Sequence, residues 1–155
     1  MSENIPVEEI VKEVQQMGYI TVKPREISPS YYKLKDGTIV KVLININHLV
    51  PDPRSPDGFA VSSTNIITAF VPKEKRNPTL AKPYTPSELR AGITDEDMEP
   101  ITLKEDFSVY ELSNGLILSL KTVAGQISKT AYYNQDGEPV YIVNAAPIIK
   151  TKKSR

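Results

Sequence analysis

The sequence predicts a mainly β protein, an N-terminal helix followed by two duplicated small units of the β-barrel or SH3-like kind. Three observations lead there. Apolar residues in the first segment recur at three- and four-residue spacing, the period of a helix, and past Gly18 they alternate every second residue, the period of a strand. "YYKLKDGTIV" from Tyr31 and "VYELSNGLIL" from Val109 repeat one pattern of aromatic, Leu, Gly turn and apolar run. Asp-Gly and Asn-Gly signals punctuate several short runs, as in small barrels and sandwiches.

In "IPVEEIVKEVQQMG", Val7, Ile10, Val11, Val14 and Met17 form one apolar stripe. Pro6 suits the first helical position, Glu8 and Glu9 suit the positive end of the dipole, and Gly18 is a stop. Such a stripe predicts a helix packed on a sheet. The acidic polar face argues against an interfacial membrane helix. "YITVKP" then reads as a short strand. "TIVKVLINI" places Val40, Val42, Ile44 and Ile46 on one face and Lys41, Asn45 and Asn47 on the other. Asp36-Gly37 before it is the signal of a type I′ hairpin. "LVPDPRSPDG" is a loop, because Pro51, Pro53 and Pro56 cannot all serve a ladder. "FAVSSTNIITAFV" is strand up to Pro72.

The expected organisation is therefore residues 1–76 as helix plus first β unit, 77–106 as a Pro-rich charged connector, and 107–155 as the second β unit sharing one core with the first. Within the connector, Thr85 and Glu88 have the form of a capping box. Thr94, followed by Asp95, Glu96 and Asp97, has the form of a further helical start.

An offset of 78 pairs Tyr32, Leu34, Gly37 and Ile39 with Tyr110, Leu112, Gly115 and Ile117. A one-residue slip then aligns Asp57, Gly58, Val61 and Asn65 with Asp136, Gly137, Val140 and Asn144. Both units end in basic runs: Lys73, Lys75 and Arg76 in one, Lys150, Lys152, Lys153 and Arg155 in the other. Two small sheets facing each other would bury what one alone could not.

Composition removes several chemistries. Without cysteine there are no disulfides, thiolate nucleophiles or Cys-ligated metals. One histidine cannot supply a zinc site, and no nucleophile elbow, P-loop, dinucleotide fingerprint or EF-hand loop is present. No cofactor is expected. With 19 basic and 19 acidic residues, the chain lacks the positive excess of a dedicated DNA binder. No apolar run is long enough to span a bilayer and no basic leader opens the chain, so a cytoplasmic protein without membrane contact is expected. His48 continues the inward parity of Val40 to Ile46, which predicts partial burial. Asp95, Glu96, Asp97 and Glu99 read as a solvated acidic cluster starting a helix. The enzymatic alternative is a small hydrolase with a carboxylate and His48 in one pocket.

"LKDGTIVKVLININHL" and "SSTNIITAFV" resemble the two motifs of the Sm-like small barrels, which follow an N-terminal helix with five short strands. That resemblance implies single-stranded RNA as a ligand, held near Asn65, with Asn47 and His48 at the neighbouring loop. The family's Asp in the first loop is missing, and Ser63 and Thr64 replace its Arg-Gly. The basic runs Lys73, Lys75, Arg76 and Lys150, Lys152, Lys153 could contact phosphate or an acidic protein. Asn144 stands where the second unit would repeat Asn65. The expected activity is non-enzymatic binding or scaffolding, with RNA, a protein partner or a second copy of the chain as ligand.

Overall fold

Alternation of apolar and polar residues builds two open antiparallel sheets. A computed structural model describes residues 4–153; Arg155 of the second basic run lies outside them. After α1 (Val7–Gln16) come β1 (Val22–Glu26), β2 (Ser30–Lys33), β3 (Ile39–Pro51) and β4 (Phe59–Phe70). Then follow α2 (Pro86–Ala91), β5 (Ile93–Asp95), β6 (Ile101–Lys104), β7 (Ser108–Leu112), β8 (Leu116–Tyr133) and β9 (Pro139–Lys153). The first sheet has the order β4-β3-β2-β6; the second is β1-β7-β8-β5, with β9 also on β8.

Neither sheet closes into a barrel, which corrects the expected barrel units. Each half supplies a three-strand meander, and the strand that completes it comes from the other half: β6 pairs with β2, and β1 with β7. Among the described residues no strand returns to join the outer strands, so the sheets keep free edges.

The pairings repeat 78 residues apart. Tyr32 lies opposite Val40 as Tyr110 lies opposite Leu118, and Lys33 opposite Ile39 as Glu111 opposite Ile117. Lys23 pairs with Glu111 as Ile101 pairs with Lys33, and Pro24 with Tyr110 as Thr102 with Tyr32. Both long hairpins carry an irregularity at the same place, after Ile46 in β3 and after Ala124 in β8. The core repeats as well. One cluster joins Tyr110, Leu112, Leu118 and Leu120 to Ile44 and Leu49 of the first half. The other joins Tyr32, Leu34, Val40 and Val42 to Ile127 of the second. Burying residues from both halves in each cluster packs the sheets face to face.

The hairpins turn by a different geometry from the expected type I′. Only Gly37 adopts positive φ, at 90°, while the Gly37 amide donates to the Leu34 carbonyl at 3.0 Å. Leu112–Gly115 and Asn134–Gly137 repeat that bond at 3.1 and 3.0 Å, with φ of 86° and 78° at their glycines. A single left-handed glycine closing a longer loop suffices, so Asp36 and Asn114 need not leave ordinary space.

Segment 77–106 contributes to both sheets through β5 and β6. Its capping box forms: the Glu88 amide donates to Thr85 Oγ1 at 3.1 Å and the Thr85 amide to Glu88 Oε1 at 3.0 Å. The helix expected from Thr94 does not form. Asp95 accepts from the Asp97 amide at 3.1 Å and Asp97 from the Glu99 amide at 2.8 Å, local turns that compete with a helix. They aim Met98 into the core, where its amide donates to the Ile127 carbonyl.

The stripe on α1 folds as a helix but does not pack as expected. No α1 residue is fully buried: Val11 and Val14 at the centre of the stripe are half-buried, Val7 is 68% exposed and Met17, just past the helix, 69%. The interior between the sheets is already filled by strand residues, and α1 lies outside it.

Candidate interaction surfaces

Between the sheets, the side of the Tyr32 cluster carries a polar seam that its counterpart lacks. Tyr141 donates to Asp36 Oδ2 at 2.6 Å, its hydroxyl lies 3.0 Å from Thr38 Oγ1, and the Thr38 amide donates to Asp36 Oδ1 at 3.0 Å. Lys129 stands 3.7 Å from the same carboxylate. Burial raises the Asp36 carboxyl, but the bonds from Tyr141 and Thr38 outweigh it, and the group sits below the usual carboxylate range. Tyr141 moves upward, through burial first and the adjacent carboxylate second. A second pair joins Tyr32 to Glu105, while the Ala124 amide donates to the Tyr32 hydroxyl at 3.0 Å. Burial and Glu105 push Tyr32 up to about 12. Among the described residues, every buried polar side-chain atom has a partner. These groups are consumed in joining the sheets, and neither tyrosine is prepared as a base near neutrality.

His48 is exposed, a correction to its expected partial burial. The register slips between Ile46 and His48, so Asn47 takes the extra place and the inward parity passes to Leu49, which is wholly buried. The imidazole meets the ring of Tyr19 edge-on at 5.7 Å. Carboxylate and histidine are not brought together: the acidic loop faces Lys35, whose Nζ is 2.7 Å from Asp95 Oδ2. That ion pair lowers the Asp95 carboxyl and raises the Lys35 ammonium. No group of three His, Asp or Glu side chains suited to a metal occurs among the described residues.

Asn47 donates to Thr64 Oγ1 at 2.8 Å on the outer face of the first sheet. Asn65 faces inward and accepts from Thr122 Oγ1 at 3.3 Å. Asn144 is exposed on β9 and is not the counterpart of Asn65. Asn65 lies opposite Ile44, whereas the residue opposite Thr122, 78 positions after Ile44, is Pro147. The basic runs separate too. Lys73, Lys75 and Arg76 occupy a 3-10 turn and its end, whereas Lys150, Lys152 and Lys153 are strand residues of β9.

A constellation missed in the sequence lies on the outer face of the second sheet. Lys121 and Lys150 place their ammonium groups 4.9 and 4.7 Å from the centre of the Phe107 ring. Lys121 lies opposite Ile148 and Lys150 opposite Ser119, so adjacent strands bring together residues 29 apart in the chain. The alternating pattern of β8 signalled the outward Lys121; only the β8–β9 register shows its neighbour. Among the described residues, none of Lys121, Lys150 and Lys152 is paired with a carboxylate.

Two open clefts flank α1, of about 520 Å³ beside His48 and about 680 Å³ beside Glu111. Further exposed apolar side chains lie on the first sheet at Ile66, Phe70, Ile101 and Leu103. No helix among the described residues is long and apolar enough to cross a membrane. No protein-family model, curated protein or solved structure matches the chain.

Proposed function

We propose that the chain is a non-enzymatic binding or scaffolding protein built from two copies of one β unit, working through contact with other protein surfaces and first of all with itself. The observation that carries this reading is the amount of large apolar surface left open on α1 and the first sheet, including Val7, Met17 and Phe70. Covering a side chain of that size is worth about 1.5–3 kcal/mol, and exposed apolar side chains in this number suit contact surfaces. The duplicated unit is supported by the repeated registers and by two core clusters that share corresponding positions, Tyr32, Leu34, Val40 and Val42 in one and Tyr110, Leu112, Leu118 and Leu120 in the other. Sedimentation equilibrium of the full chain tests the reading. An assembly that grows with concentration is expected; a strict monomer at every concentration would remove self-association as its basis.

Single-stranded RNA is the second reading, favoured by the Phe107–Lys121–Lys150 constellation and by the resemblance to Sm-like proteins. An aromatic ring among unpaired ammonium groups suits a stacked base and its phosphates. Affinity for a mixed single-stranded RNA is then expected to fall steeply with salt, and to fall further when Lys150 and Lys152 become Glu. Undetectable binding at low salt would rule the RNA reading out.

A further inference from the structure

We propose that two copies of this chain join edge to edge through β4, antiparallel, so that their first sheets become one continuous sheet. The inference rests on the self-association just argued and names the surface that carries it.

Open sheets have edges, and natural edges are normally blunted by shortness, charge, proline or a covering element. Four of the five outer strands follow that rule. β1 carries Lys23, Pro24, Arg25 and Glu26; β5 and β6 have only three and four residues. β9 is long, but Pro147 removes a backbone donor at mid-strand and its end bears Lys150, Lys152 and Lys153.

β4 has neither shortness, charge nor proline, and only its Ile67–Phe70 end is bordered by another element, across an open cleft shared with Tyr84 and Val140. It runs 12 residues, FAVSSTNIITAF, without a charge or a proline. It pairs on one side only, with β3. Ile66 and Phe70 on its outer row are 49% and 53% exposed, and even Ile67, on the inward row, is 42% exposed. Phe59 and Val61 at its start belong to the core, but the β formers Ile66, Ile67 and Phe70 are uncovered, and no further strand pairs with the backbone along its free side.

A second copy is the occupant that this strand fits. Because β4 has no ionisable side chain, no register of the strand against itself sets like charges opposite one another. An isologous antiparallel contact also closes after two copies, leaving β6 of each copy as the outer edge. That final edge is short and ends in Lys104, which blunts further growth.

The test combines sedimentation equilibrium with hydrogen exchange on the full chain, comparing wild type with Ile66→Lys and Phe70→Lys. Both side chains are about half exposed, and unchanged thermal unfolding and circular dichroism of dilute samples confirm that each variant folds. The wild type is expected to dimerise, with slowing exchange confined to β4 as concentration rises. Each lysine is expected to raise the dissociation constant by about tenfold or more. A dimer insensitive to both lysines, or one that protects α1 instead of β4, would overturn the edge pairing and leave scaffolding in place. A strict monomer would overturn the edge pairing and remove self-association as the basis of the scaffolding reading.

Discussion

Asp36 and Tyr141 form the residue pair on which the seam depends most. Replacing Tyr141 with Phe keeps the ring but removes the donor at 2.6 Å, leaving a nearly buried carboxylate one bond short. A loss of about 1–3 kcal/mol is expected, read as a fall in melting temperature of about 2–4 °C per kcal/mol. The pH dependence has a definite sign. Because the folded Asp36 carboxyl sits below its ordinary value, its contribution is present above about pH 4 and disappears as pH falls through the folded pKa. Tyr141 is raised, so its contribution is full below about pH 10 and lost as pH climbs through its folded pKa. Thermal melts from pH 2 to 7 check the acid limb. Asp36→Asn should flatten it, and an unchanged slope would show that Asp36 does not set it. Neither partner advertises the other in the sequence. Asp36 was legible as a turn residue, but Tyr141 reaches it across 105 positions through the facing of two sheets.

At the scale of elements, periodicity foretold type better than environment. The α1 stripe was enough to name a helix; whether anything covers that stripe depends on space left by distant strands, which no local period reports. The inward face of β3 was legible from Val40 to Ile46, and then failed at His48 because one extra residue at Asn47 reverses the parity. The Asn65–Asn144 alignment failed likewise: turn residues were matched, but the longer second hairpin shifts the strand that follows. The turns offer a comparative test. Gly115 and Gly137 share positive φ, yet a Cβ on Gly115 meets open space whereas one on Gly137 falls 2.5 Å from the Pro78 nitrogen. Gly115→Ala should therefore cost only the left-handed strain, about 1–2 kcal/mol. Gly137→Ala should cost about 1–3 kcal/mol more, since the connector must shift and its 2.7 Å bond from the Asn77 amide to the Gly137 carbonyl is disturbed. Urea unfolding of both variants decides this; equal losses would mean that the connector yields without resistance.

For the molecule as a whole, the exchange of outer strands between halves matters more than the repeat itself. The repeated turns were visible in the sequence, whereas the crossing of β1 and β6 was not, because neither strand carries a signal of which meander it completes. The crossing makes the halves interdependent. Alone, residues 1–76 would keep β2, β3 and β4 but lose β6, and β1 would have no β7 to pair with. The Tyr32 cluster would lose Met98 and Ile127, and Ile44 and Leu49 would lose Tyr110, Leu112, Leu118 and Leu120. Residues 77–155 would suffer the reciprocal losses. The intact chain is therefore expected to unfold in one cooperative transition, and neither half should hold a stable sheet on its own. A protease site placed at the exposed Lys82–Pro83 stretch, close to the boundary between the halves, tests this in the folded chain. After cleavage the nicked protein should stay associated in native buffer, with its circular dichroism unchanged. The fragments should separate only in denaturant, and each purified half should lose its β signal until the other is restored. A half that kept a cooperative melt by itself would show that the exchanged strand is an ornament on a self-sufficient unit.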